Sequence, residues 1–104
     1  MINPSSVVRK VSEYYGVDLN EVFSSSRSLS VAHSRQVCYY VLNTIFHFST
    51  PRIGRMFNRD HSTVVHGINN ISKKIMIDEE TRIQVKSLIR HYFDHAAKSM
   101  NWAA

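Results

Sequence analysis

Apolar residues recur along this chain at spacings of three and four, the period of helices with one buried face. Behind Asn3-Pro4, the set Val7, Val8, Val11, Tyr14 and Tyr15 predicts a first helix stopped by Gly16. Asp18 is placed to cap a short second helix from Leu19 to Phe23, and the serine run from Ser24 to Ser28 reads as a loop. Ser30 is expected to cap a long helix to about His47, with Val31, Val37, Cys38, Val41, Leu42, Ile45 and Phe46 inward. Tyr39 and Tyr40 fall at its core and rim. Val64, Val65, Ile68, Ile71 and Ile75 mark another helix, and Asp78 opens a last one with Ile83, Val85, Leu88, Ile89, Tyr92 and Phe93 apolar. The expected architecture is all-α, about six helices in one domain over residues 1–104. Its core runs from about 4 to 95, and the tail 97–104 is expected to fray unless Trp102 docks back.

Between the long helix and the Val64 helix lies a more specific pattern. Ser49-Thr50-Pro51 is a helix start, a hydroxyl cap followed by Pro at the first helical position. A short helix from Pro51 to Phe57 would turn Ile53, Met56 and Phe57 inward. Asn58 and Arg59 leave room only for a tight turn before Asp60, whose carboxylate suits an N-cap. His61, Ser62, Thr63 and His66 are then left pointing outward near the helix start. Two helices joined by a short turn, the second with donors and acceptors at its tip, match a helix-turn-helix made for the major groove. An αα-corner in a small helical domain shares the pattern, and both remain open at this point.

Charge shifts that balance. Between residues 22 and 77 the chain carries Arg27, Arg35, Arg52, Arg55, Arg59, Lys73 and Lys74 against the single acid Asp60, a net of +6 where the whole chain has +5. All the excess positive charge thus surrounds the two-helix pattern, as contact with a polyanion requires. A length of 104 residues with three Gly and two Pro excludes a large catalytic architecture and leaves little for a sandwich or barrel. No apolar run reaches membrane-spanning length, and the N-terminus lacks the order of a signal peptide. Cys38 is the only cysteine, which fits a reducing compartment and a small buried residue better than a reactive thiol.

Catalytic and cofactor chemistry find little support. No glycine-rich phosphate loop is present, so no bound nucleotide is expected. His91 and His95 have metal-ligand spacing on one helical face, but nothing is placed to complete a site, and no metal or cofactor is expected. Nothing orders a Ser-His-Asp triad, and the few glycines provide no strained nucleophile turn. The chain is expected not to be an enzyme.

One resemblance carries the function further. Val11-Ser12-Glu13-Tyr14-Tyr15, Arg27-Ser28, Val31-Ala32, Arg35-Gln36, Tyr40, Pro51, Ile53-Gly54 and above all Arg59-Asp60-His61-Ser62-Thr63-Val64 with His66 occur in order, within a resemblance that covers about residues 7 to 93. In these residues the chain resembles the C-terminal DNA-binding domain of the bacterial chromosomal replication initiator DnaA. The resemblance implies a Trp-repressor-like fold that binds double-stranded boxes of the TTATNCACA type. It also implies base contacts from Arg27, Pro51, Asp60, His61, Ser62 and Thr63, with Arg27 in the minor groove. It implies Arg35, Gln36 and His66 as contacts to the DNA backbone, and Lys73 and Lys74 are expected to contact it too. The chemistry agrees: Asp60 can accept from a cytosine amino group, and the Thr63 methyl can pack on a thymine methyl. Arg27 suits a narrow A·T-rich minor groove.

Departures from the family pattern lower the expected affinity. Ser26 and Leu29 stand where basic residues are usual, and Gly67-Ile68-Asn69-Asn70 separates His66 from Lys73-Lys74. The initiator's ATPase segment is missing, so this chain alone is not expected to hydrolyse ATP. Met1 hints at a free-standing small protein, and an excised domain would look the same. Expected partners are double-stranded DNA and replication or regulatory proteins, in the cytoplasm at the nucleoid, with no membrane. The alternative is a protein-interaction module that keeps the fold with weak DNA affinity. A metal-dependent hydrolase stands a distant third.

Overall fold

A computed structural model describes residues 3–94, in which six α-helices and no strand are found. They are α1 (Pro4–Tyr15), α2 (Leu19–Phe23), α3 (Leu29–Tyr40), α4 (Thr50–Phe57), α5 (His61–Ile77) and α6 (Glu79–Tyr92). Their limits follow from cap chemistry. Asn3 Oδ1 accepts from Ser5 N at 2.9 Å, Asp18 Oδ1 from Asn20 N at 2.7 Å, and Ser49 Oγ from Arg52 N at 3.3 Å. Gly16 ends α1 with φ 66°, a left-handed conformation that costs little without a Cβ. At α6 the Asp78 carboxylate accepts from Thr81 Oγ1 at 2.6 Å, which holds its pKa below the usual carboxylate value.

Two boundaries differ from expectation. The cap of α3 is Ser28, whose Oγ accepts from Val31 N at 3.3 Å, not Ser30. Several serines here have suitable chemistry, and the extended backbone at Ser28 selects it. The long helix is not uniform to His47. After Tyr40 it widens into a π turn, Val41–Ile45, in which Phe46 N donates to Val41 O at 3.3 Å. Asn43 Nδ2 donates to Phe48 O at 2.9 Å, and His47 adopts φ 62° to close the turn toward α4.

Helix α3 occupies the centre and packs most extensively against α5, with α1 and α2 on its other sides. Val37, Cys38, Tyr39, Val41, Leu42, Ile53, Val64, Ile71, Val85, Leu88 and Ile89 are all buried in one cluster with Val7, Val8, Val11 and Val22. Tyr40 belongs to that core rather than its rim, at 9 % exposure. Val65 and Ile83 were expected inward, but they are 37 % and 54 % exposed. Gly67, on the other side of Val64 around α5, is buried against α3. A Cβ there would lie 2.8 Å from Tyr39 Cδ2, so its absence lets α5 approach α3 closely. His95 of the spaced histidine pair and the tail 97–104 with Trp102 lie outside the described residues. No group of three metal-ligating side chains occurs among the described residues, and no described helix is long and apolar enough to cross a membrane.

Cys38 is fully buried, and burial pushes its thiol pKa far above the ordinary value. The folded protein is therefore expected to resist an aromatic disulfide reagent and to react with one equivalent once denatured. Prompt labelling of the native protein would show that the α3 core opens.

Candidate nucleic-acid interface

The helix-turn-helix rests on a tight backbone contact. Helix α4 ends at Asn58, which takes φ 53°. Arg59 N then donates back to Gly54 O at 2.8 Å, and the chain enters α5 at Asp60. Asn tolerates the left-handed conformation that such a stop needs. Asp60 Oδ1 accepts from Ser62 N at 3.3 Å and lies 3.2 Å from His61 Nδ1. Hydrogen bonds from the Ser62 backbone and side chain, with a smaller contribution from His61, hold the Asp60 carboxyl below its usual pKa. The cap is thus a carboxylate with acceptor capacity to spare for a ligand.

Asp60, His61, Ser62 and Thr63 are all exposed at the tip of α5. Ser62, His66, Asn69 and Lys73 continue as an exposed stripe at helical spacing along the face away from Val64 and Ile71. Pro51 is exposed and lines one cleft with Arg55, Arg59, Asp60 and His61, so the start of α4 lies beside the tip. Arg52 and Arg55, one turn apart on α4, are exposed as well. The sequence marks them as charge alone, although the spacing of three places both on one face.

The remaining expected contacts are arranged differently. Arg27 is exposed in the loop before α3. Arg35, expected at the DNA backbone, is only 6 % exposed. Its guanidinium donates to Val22 O at 2.8 Å, Ser26 O at 3.1 Å, Glu21 O at 3.2 Å and Ser24 O at 2.9 Å. It holds the Arg27 loop against α2 and α3, and its donors are turned inward. Burial and the neighbouring Arg59 guanidinium pull its pKa down from the ordinary arginine value. Gln36 is half-buried, with Oε1 accepting from Asn70 Nδ2 at 2.6 Å across the α3–α5 seam.

Lys73 and Lys74 lie roughly 15 Å behind the tip, at 1.5 Å of rise per residue. Lys73 is exposed, whereas Lys74 is half-buried beside His33. Burial, reinforced by Lys74, lowers the His33 pKa. A contact missing from the sequence-based reading is Arg59 Nη2 donating to Ser24 O at 2.7 Å. It joins the helix-turn-helix to the Arg27 loop. No local pattern announces a bond between positions 35 residues apart.

The family described as bacterial dnaA protein helix-turn-helix matches residues 4–71. Three relatives are each named chromosomal replication initiator protein DnaA. That of Lachnoclostridium phytofermentans is 35% identical over 85 residues, covering 81% of this chain and 19% of the relative. That of Ruegeria sp. strain TM1040 is 38% identical over 90 residues, 86% of this chain and 19% of the relative. That of Gluconobacter oxydans is 40% identical over 76 residues, 72% of this chain and 15% of the relative. The chain spans about a fifth of the length of these relatives. With the matched segment running from α1 into α5 through the turn at Asn58, the chain belongs to the bacterial DnaA helix-turn-helix family.

Proposed function

We propose that this chain binds double-stranded DNA at boxes of the TTATNCACA type, placing α5 in the major groove and Arg27 in the adjacent minor groove. The exposed tip Asp60-His61-Ser62-Thr63, on a helix whose other face is buried, is the observation that carries this reading. Asp60 accepts from a base amino group while it caps the helix, and the Thr63 methyl meets a thymine. His61 and Ser62 supply further hydrogen bonds to base edges. Pro51 sits against the bases beside the tip, and Arg27 reads minor-groove width and potential.

Gln36 and His66 remain proposed backbone contacts. Lys73 and Lys74 add attraction to phosphates at the far end of α5. Arg52 and Arg55 join them as phosphate contacts, and Arg35 leaves the set because its donors are engaged with the loop. The names of the relatives support a role in replication initiation or its regulation. With no phosphate loop in the sequence, we assign this chain no ATP hydrolysis of its own. A single module of this kind buries roughly 600–1,000 Å² of protein surface on DNA, so its isolated affinity is modest.

The test is fluorescence anisotropy with a box duplex and a scrambled duplex over a range of salt. A clear preference for the box is expected, with log K falling by about 0.9 per neutralised phosphate for each unit of log salt. Equal binding to both duplexes would overturn the sequence-specific reading. No binding to either at low salt would transfer the weight to a protein-interaction module with the same fold.

A further inference from the structure

We infer that Arg59 is a positioning residue that clasps the Arg27 loop to the tip of α5, so that both grooves are read in one fixed register. The inference rests on the box-reading function proposed above. Arg27 stands in a serine-rich segment whose own ties are weak. Ser26 N donates to Ser24 Oγ at 3.1 Å and Ser28 N to Ser26 Oγ at 3.4 Å. Those two bonds fold the loop upon itself and set nothing about its place relative to α5.

Two guanidiniums supply that placement: Arg35, which also holds Ser26 O at 3.1 Å, and Arg59, with Ser24 O as their shared acceptor. Arg35 Nη2 and Arg59 Nη2 both donate to Ser24 O, at 2.9 and 2.7 Å. A carbonyl has two lone pairs, so both bonds can be satisfied. Arg35 fastens the loop to the body of the fold. Arg59 immediately precedes the cap residue Asp60, and its own N–H is held by Gly54 O at 2.8 Å. Its side chain therefore links the loop to the hydrogen-bonded turn of the helix-turn-helix. Holding two like charges this close opposes folding slightly: burial first, and then the Arg59 guanidinium, lower the Arg35 pKa. The arrangement is favourable where a polyanion lies across both elements.

Flexible arms and rigid arms predict different energetics. With a free loop, Arg27 and Arg59 contribute to binding independently. With a clasped loop, loss of Arg59 raises the entropy that Arg27 must surrender on entering the minor groove, and the two effects couple. The experiment is a double-mutant cycle on the box duplex with wild type, Arg27→Ala, Arg59→Met and the double variant. NMR relaxation of the amides of residues 25–28 in the free protein accompanies it. Arg59→Met is expected to weaken box binding about tenfold in the wild-type background and less than about twofold in the Arg27→Ala background. It is also expected to lower the loop order parameters without DNA.

An equal loss in both backgrounds, or unchanged loop dynamics, overturns the clasp. Loosened loop amides in a protein that shows no box preference would instead uphold the clasp and remove the proposed DNA site. Should Arg59→Met fail to fold, Arg59→Lys is carried through the same cycle. It keeps the charge but loses the planar fork, so it is expected to give a smaller coupling of the same sign.

Discussion

Replacing Gly54 with Ala is expected to lower the melting temperature and to abolish most discrimination between box and scrambled DNA. The added Cβ would lie 2.6 Å from Arg59 O and 3.4 Å from His61 N. Both are backbone atoms of the turn, so no rotamer change relieves the clash. The same turn returns a hydrogen bond to this residue, from Arg59 N to Gly54 O. Ala favours the helix by about 1 kcal/mol over Gly, whereas overpacking costs about 1–3 kcal/mol. Because the obstacle is main chain, the upper part of that range applies and the net loss is about 1–2 kcal/mol. At about 4–8 °C per kcal/mol for a domain of this size, the melting temperature falls by roughly 5–15 °C. The clash is relieved by tilting α5 against α4, which moves Asp60, His61, Ser62 and Thr63 together. Box affinity is expected to fall more than tenfold, about 1.4 kcal/mol or more. A variant that melts and discriminates like the wild type would show that Gly54 does not set the helix-turn-helix angle.

Arg35→Met is expected to be the most destabilising single change among the charged residues. The substitution keeps an unbranched side chain of similar length and removes the guanidinium that satisfies the carbonyls of Glu21, Val22, Ser24 and Ser26. Hydrogen bonds to a charged group contribute about 1.5–3 kcal/mol each, and bonds from one group are not additive. A total loss of about 2–4 kcal/mol follows, because part of the loop can rehydrate. Thermal melting by circular dichroism should shift down by at least about 8 °C. Arg35→Lys should restore little, since one ammonium cannot reproduce a fork spread over four acceptors. If Arg35→Met instead melts like the wild type and loses only salt-dependent DNA affinity, Arg35 returns to the interface as a phosphate contact.

The different placements of Arg27 and Arg35 show what charge alone leaves undetermined. Both were legible as basic residues beside a candidate interface, and charge counting treats them alike. One is exposed on a loop and the other is buried at 6 % exposure among carbonyls. The carbonyls that bury Arg35 belong to α2 and the loop, 9 to 14 residues away. Val65 and Ile83 repeat the lesson in apolar residues. Periodicity marks a face about two residues wide at each turn, and neighbouring helices decide which edge of it is covered.

By itself the sequence determined the helical class, nearly all the element limits, the turn at Asn58-Arg59 and the polar tip from Asp60 to Thr63. Those features depend on residues within about five positions of one another, through caps, left-handed stops and the i to i+4 ladder. The tertiary structure alone decided the widening of α3 into a π turn, the close approach at Gly67, the burial of Arg35 and the bond from Arg59 to Ser24. The last three require elements distant in the chain to dock before the contact exists. Burial and the direction of a long side chain are properties of the packed whole, and no local pattern encodes them.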